Sequence, residues 1–596
     1  MNRLFLLCFS FLCFSSTFAQ TSAPKWQSIS LDFEGPYLSE TTSDNPFLDY
    51  RLEVSFRLNN RLMRVPGFFA ADGKAAESSA TEGNIWRVHF TPDEEGEWTY
   101  EVSFRKGKNI AVSDDAYEGE PVAELDGKKG SIRCTPPMPV STDIRSKGRL
   151  LYDNGHYFRF QNGDYFLKGG ANSPENFLAC MDIDGTYGYD PQKQFVKSWA
   201  YHIKDWKSGD PLWQGRAGKG IIGALNYLAS KKMNVVYALT LNIEGDARDV
   251  WPFLSHERRD FLRYDVSKLA QWDIVFSHAE RKGIIMHLIT QEKENELILD
   301  DGQTDVTRKL YYRELIARFA HHNNLIWNMG EENGHAPFWP QGQNDQQRFA
   351  MIRYLKDHDP YKHPIVIHTL PDQNERNEIL GPLEKFDRLD GISLQVSNRY
   401  LVHRDVLELV ERSQKSGRPW VVTMDEIGMW HTGTMADINN PRHDTLRQEV
   451  LWGALMAGAG GVEWYFGWIQ PPHDLNAEDW RSRNNMWEQT AHALDFFHSL
   501  PFYEMQSADQ LLDQSDAYCF RKVGEVYVVY LKKGRTVVLD LEEASGSFDL
   551  QWYDPYEGGA LQSSDVRQVQ GGQKCALGQP PSKPEQDWVI LLRKKS

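Results

Sequence analysis

The sequence predicts a multidomain protein: a central (β/α)8 TIM barrel flanked by an N-terminal β-sandwich and a C-terminal antiparallel β domain. Three observations lead there. The chain has 596 residues, a length that suggests about three domains. Alternation of apolar and polar residues with period two fills both ends of the chain and is absent from the middle. The middle instead alternates short apolar runs with amphipathic helical stretches, as parallel βα units do.

Residues 1–19 carry one Arg, an apolar run and then small residues before Gln20. This is the pattern of a secretory signal peptide cleaved after Ala19, and it predicts a secreted or periplasmic protein. The run is too short to span a membrane, and no other stretch approaches ~18 uninterrupted apolar residues. Leu12 before Cys13 speaks against a lipoprotein anchor. Beyond the leader, Cys134, Cys180, Cys519 and Cys575 show no CxxC spacing, so no zinc site is expected. Cys519 and Cys575 share one module and have the option of pairing in an oxidising compartment.

Residues 24–130 read as the first sandwich. Tyr50 to Phe56, Ile85 to Phe90 and Trp98 to Phe104 alternate strictly, with turn clusters between them. The Pro-rich stretch Cys134 to Pro139 marks a linker over 131–147. Residues 148–500 carry the barrel. After a hairpin-like lead-in from Leu150 to Phe160, strands are expected at Tyr165–Lys168, Val235–Leu241, Gly283–Ile289, Leu325–Met329, Pro364–His368, Gly391–Gln395, Trp420–Met424 and Gly461–Trp464. Helical patterns such as Val266–Lys282, Lys309–His322 and Leu446–Ala459 lie between them. The competing doubly wound sheet would carry a Gly-rich phosphate loop, and neither GxGxxG nor GxxxxGK[ST] occurs. Alternation returns over 503–596, which reads as a second β-sandwich.

The formal net charge is −17, and no Lys/Arg block is present. Nucleic acid is therefore not an expected partner. Aromatics reach 12%, with 19 Trp, 25 Tyr and 30 Phe, more than the cores need, so part of them suits stacking on flat apolar ligand faces.

Barrel chemistry is built at the C-terminal ends of the strands. Strand four continues into Gly330-Glu331-Glu332-Asn333, and strand seven into Asp425-Glu426-Ile427-Gly428. Two carboxyl pairs thus face each other across one barrel mouth. Glycoside hydrolysis needs that arrangement, one carboxyl protonating the leaving oxygen while another attacks carbon or activates water. Because neighbouring strand residues point to opposite sides, one acid of each pair is expected to face the cleft and the other to hold a neighbour.

Trp327 to Asn333 resembles the strand-four signature of clan A glycoside hydrolases, in which Asn-Glu closes the strand. Aligned on Trp and Gly, Glu332 takes the acid/base place and Glu331 the place of the Asn. Thr423 to Gly428 is similar to the strand-seven pattern and puts Glu426 in the nucleophile's place. The N-terminal segments Leu31 to Pro36, Gly67 to Gly73 and Trp86 to Pro92 resemble a β-sandwich family of unknown function that precedes barrels of the apiosidase-like type. Leu550 to Gly559 resembles a module described as collagen-binding that commonly ends such enzymes. The resemblance implies a retaining glycosidase with no organic cofactor. It also implies that some other group replaces the strand-six Tyr that orients the nucleophile in clan A.

Further substrate contacts are expected at Asn172 and Glu175 after strand one, where Gly169-Gly170-Ala171 reads as a flexible turn. Others are His287 and Gln291 at strand three, with Glu292 beyond, and Glu331, His368 and Gln395 at strands four to six. Trp430, His431, Trp464 and Trp468 follow strands seven and eight as sugar platforms. No metal is expected: HExxH is absent, His321-His322 lacks partners at ligand spacing, and Asp182 to Asp190 lacks the calcium-loop pattern. The expected substrate is a plant or algal polysaccharide or oligosaccharide. Two alternatives stay open, an inverting enzyme and a non-catalytic glycan- or matrix-binding protein on a degenerate barrel.

Overall fold

The fold was obtained as a computed structural model that describes residues 21–139, 143–258, 261–469 and 471–595. The leader expected over residues 1–19 lies outside the described residues.

The alternating runs of the first unit form two facing sheets. One orders Thr21–Pro24, Lys129–Thr135, Gly96–Lys106, Tyr50–Leu58 and Arg61–Pro66, and the other Ile29–Ser39, Glu82–Phe90 and Phe68–Phe69. Their inner residues interlock. Phe56 stacks on Phe90 with ring centroids 3.8 Å apart, and Trp86 lies 4.7 Å from Phe104. Each such ring taken out of water contributes on the order of 1.5–3 kcal/mol. The strand Lys129–Thr135 buries Ile132 and Cys134 and exposes Arg133, so the sandwich runs into the stretch read as linker.

The middle of the chain closes into a barrel of eight parallel strands in sequential order. They are β1 (Lys168–Ala171), β2 (Val235–Leu239), β3 (Ile285–Ile289), β4 (Leu325–Asn328), β5 (Ile365–His368), β6 (Gly391–Val396), β7 (Val421–Ile427) and β8 (Gly461–Trp464). All are buried along their length because helices cover the outer face. The helices begin where the sequence supplies caps. Asp265 accepts from the Lys268 amide at 2.9 Å to start Val266–Arg281, and Asn344 with Gln347 forms a capping box for Asp345–His358.

Strand β1 corrects the sequence reading, since it starts at Lys168, where the expected strand ended, and runs through the glycines read as a turn. Those glycines serve close packing. A Cβ on Gly170 would lie 2.1 Å from the Val235 carbonyl oxygen of the next strand. The helix expected over Leu446–Ala459 is interrupted, with a π-helical segment at Leu446–Trp452 before a short α-helix at Gly453–Met456.

The C-terminal unit is a six-stranded antiparallel sheet with a separate two-stranded ribbon, Val538–Asp540 with Lys574–Ala576. Buried Arg447 ties it to the barrel by holding Asp587 at 2.8 and 2.7 Å. On the opposite flank Arg313 and Arg318 donate to the Leu52 and Phe69 carbonyls of the sandwich at 2.8 and 3.0 Å.

Cys519 and Cys575 are free buried thiols, as are Cys134 and Cys180. His321 and His322 do have partners, brought from elsewhere in the fold. His322 lies between Asp273 at 2.9 Å and Glu280 at 3.1 Å, and the His321 ring packs on His89. Among the described residues no helix is long and apolar enough to cross a membrane.

Candidate active site

The C-terminal ends of the strands open into a cleft of about 840 Å³ lined by Glu332 and Glu426 together. Two local distortions bring them there. After β4 the chain turns through Gly330, and Glu332 sits at φ +44°. A glutamate held in the left-handed region stores on the order of 1–3 kcal/mol of strain, and such strain clusters at functional sites. The second distortion is a bulge between β6 and β7: Leu394 pairs with Met424, but Gln395 pairs with Glu426, skipping Asp425. The extra residue sets Gln395 beside Glu426 on the cleft side.

Gln395 then fixes one of the two acids. Its side-chain amide donates to Glu426 Oε1 at 2.7 Å. His368 Nε2 stands 3.3 Å from Glu426 Oε2, and its Nδ1 is paired with Ser393 Oγ at 3.0 Å. Gln395 therefore fixes one oxygen of Glu426, and the His368 ring lies beside the other.

Burial raises both carboxyls. Glu426 is pushed up to about 8, with the Gln395 hydrogen bond partly opposing the shift. Burial and then the Glu426 charge hold Glu332 well above the usual carboxylate range. Glu331 is raised for the same two reasons. Each of the two carboxyls thus holds its proton to higher pH than a free carboxyl does.

Beneath the cleft a buried cation compensates a second group of acids. Lys168 Nζ reaches Asp425 at 2.8 Å, Glu463 at 3.0 Å and His287 Nδ1 at 3.3 Å. The ammonium lies among His287, Asp425 and Glu463, one of the groups whose spacing would suit a metal ion. His287 lies between Glu463 at Nδ1 and the Asn328 amide at Nε2, 3.1 Å from each.

The expected division of labour within each acid pair holds on β7 and not after β4. Asp425 turns inward to Lys168 while Glu426 faces the cleft. Glu331 and Glu332 both line the cleft, because they occupy a turn where strand alternation does not apply.

Of the other expected contacts, Glu175, Gln395, Trp430 and Trp468 also line the cleft. Asn172 does not: it is buried and donates to the Asp425 carbonyl at 3.1 Å, fixing the backbone before Glu426. His287 lies in the barrel interior. Gln291 is buried between Gln343 and Arg308. Trp464 is a core residue whose Nε1 donates to Thr490 Oγ1 at 2.9 Å. His368 reaches Glu426 from outside the lining, and exposed His431 lies beside Trp430 without lining the cleft. Strand alternation and burial by helices place these side chains away from the mouth.

Sequence reasoning missed Asp246, Glu294, Phe338, Tyr465 and Asp474, all of which line the cleft. Tyr465 supports the platform by donating to the Trp430 carbonyl at 3.0 Å. Most of the missed residues come from loops without periodic pattern. Tyr465 alone had a signal, immediately after Trp464 at a strand end.

Residues 22–105 match the family model described as "Domain of unknown function (DUF5060)", and residues 508–593 match "Putative collagen-binding domain of a collagenase". No curated protein matches the chain. Among solved structures the chain is similar to one described as a "putative glycoside hydrolase from Bacteroides vulgatus ATCC 8482". Identity is 15% and the TM-score 0.65, over 97% of this chain and 100% of that one. A glycoside hydrolase family 5 structure from the same organism aligns at 15% identity and a TM-score of 0.55, covering 76% of this chain and 94% of that one. At these identities the likeness is one of fold, and it extends through a barrel with β units on either side.

Proposed function

We propose that this chain is an exported glycoside hydrolase that cleaves an O-glycosidic bond of a plant or algal poly- or oligosaccharide with retention of configuration. The observation that carries the proposal is that Glu332 and Glu426 line one cleft at the mouth of the barrel, with the Gln395 amide donating to Glu426 Oε1 at 2.7 Å. Retention is what the clan A resemblance implies, and it calls for carboxyls ~5–5.5 Å apart rather than the ~6.5–9.5 Å of inverting enzymes. The glycosidase descriptions of the structural neighbours agree with this reading, as does the leader pattern of residues 1–19 with export. The apiosidase-like barrel remains the resemblance that fits the order of modules.

In the proposed reaction Glu426 attacks the anomeric carbon while Glu332 gives its proton to the departing glycosidic oxygen, so the C–O bond breaks as the glycosyl ester forms. Glu332, now ionised, takes a proton from water. The resulting hydroxide oxygen bonds to the anomeric carbon and releases Glu426.

Kinetics of Glu426→Gln and Glu332→Gln on a polysaccharide panel, with NMR of the first product, test this. Glu426→Gln should abolish turnover. Glu332→Gln should lower it by about 10²–10⁴-fold and much less on aryl glycosides whose leaving groups need no proton. Unchanged turnover in either variant, or an inverted first product, would overturn the assignment.

A further inference from the structure

The cleft holds ten carboxyl side chains and a single lysine, with no arginine or histidine in its lining. The ion-pair partner of that lysine is outside the lining: Lys293 Nζ lies 3.5 Å from Glu296. Among the described residues no lining carboxylate is ion-paired with a lysine or arginine, and Glu426 alone meets a histidine. Two of the lining acids are incomplete as hydrogen-bonding groups. Glu292 and Glu331 are 4% and 9% exposed, and the Oε2 of each has no partner. Buried acceptors of this kind call for a donor from outside the chain.

A metal ion does not fit that need. The described groups with spacing suited to a metal ion are His89, Asp273 and His321 at the sandwich boundary and His287, Asp425 and Glu463 beneath the cleft. Neither includes a carboxyl of the lining. Exposed Trp430 and Phe338 line the same cleft as the acids and are suited to take a sugar's apolar faces. An acidic sugar would meet the opposite of what it requires. Carboxylate and sulfate groups are held by arginine forks or lysines, and here each would lie among ten acids and one lysine that already meets Glu296.

Resting on the reading of this cleft as a glycan-cleaving site, we propose that it recognises its glycan through hydrogen-bond donors, hydroxyl or ammonium, and excludes sugars bearing carboxylate or sulfate. Glu292, Glu331 and Glu175 accept from the sugar that lies against the catalytic pair. Asp246, Glu294 and Glu375 extend the same negative field outward and set the preference.

The test uses the purified chain and its Glu426→Gln variant with oligosaccharides matched in backbone and linkage. The acidic comparisons are free against methyl-esterified oligogalacturonates and sulfated against desulfated carrageenan oligosaccharides, and chitosan against chitin oligosaccharides compares an amino-bearing with a neutral chain. Calorimetry on the variant reads binding, and product release by the unmodified chain reads cleavage. The expected result is binding of neutral or amino-bearing members and at least tenfold weaker binding of each acidic counterpart. Glu375→Lys should narrow that gap several-fold. Cleavage or equal binding of an acidic member overturns this inference and leaves the hydrolase reading standing. Binding of neutral members without any cleavage does the reverse, and failure to bind any neutral or amino-bearing member overturns the inference as well.

Discussion

Replacing Glu426 with Gln should make the protein more stable, and by an amount that grows with pH. Burial raises Glu426 from its ordinary 4.5 to about 8. In the unfolded chain the group loses its proton near 4.5, while in the fold it keeps the proton until about 8. Between these values the native state binds more protons than the unfolded state, so stability falls as pH rises. Each pH unit in that window costs about 1.4 kcal/mol per group. From pH 6 to pH 8 the loss is therefore ~2–3 kcal/mol for Glu426, which Gln escapes because it cannot ionise. Relief of the neighbouring Glu332 and Glu331, both raised in part by the Glu426 charge, acts in the same direction. Asp474, raised to about 7 in part by the same charge, is relieved likewise, while His322, raised to about 9, slopes the same way in both proteins. The measurement is urea unfolding of both proteins by tryptophan fluorescence at pH 6, 7, 8 and 9. The stability gap should widen by ~2–3 kcal/mol to pH 8 and then level off. A gap that stays constant with pH, or closes, would show that Glu426 is not a desolvated acid and would refute the electrostatic account of the site.

Gln395→Leu removes a donor to the ionised nucleophile, so the acidic limb of kcat/KM should move to higher pH and kcat should drop by about 10–100-fold; an unmoved limb would remove Gln395 from that role. Trp430→Ala should raise KM roughly 5–10-fold with kcat and Tm nearly unchanged, since Trp430 is 59% exposed and supports no core; steady-state kinetics and a melting curve separate the two effects. Lys168→Met should destabilise the barrel by about 3–5 kcal/mol in denaturant unfolding, because Asp425 and Glu463 lose their buried cation. Adding Asp425→Asn and Glu463→Gln should recover most of that loss, and a triple variant as unstable as the single one would contradict the pairing.

The architecture was legible because it rests on hydrophobic period, which is a local property. Seven of the eight barrel strands lie where apolar runs placed them. The first is displaced because Gly169 and Gly170 look like a turn in sequence, while in the fold Gly170 answers a close approach of Val235 and Gly169 one of Leu494, contacts that the folded barrel creates. The carboxyl pairs were legible for a similar reason, since strand ends and acids are both local. The role of Gln395 was not, because it depends on a one-residue slip between β6 and β7. The misplaced contacts share a cause as well: His287, Gln291 and Trp464 sit near strand ends in sequence, but strand alternation and packing turn them into the interior. Asp246, Glu294 and Asp474 arrive from loops whose course depends on distant contacts, as when the Glu175 amide donates to Asp474 at 3.3 Å.

The barrel treats its acids in two ways, and the difference separates scaffold from chemistry. Asp425 and Glu463, one layer down, have Lys168 within 3.0 Å and rigidify the strands that carry the site. Glu426 is the immediate neighbour of Asp425 in sequence, yet it receives a neutral amide and a histidine whose own proton affinity burial lowers to about 4. A full cation beside Glu426 would hold it ionised but blunt its attack on carbon, and would remove the charge that keeps the proton on Glu332. A neutral donor orients the carboxylate without neutralising it. The cost is a cleft full of repelling acids, which is relieved when one of them is neutralised, and that is why the variant that ends catalysis is also expected to be the more stable protein.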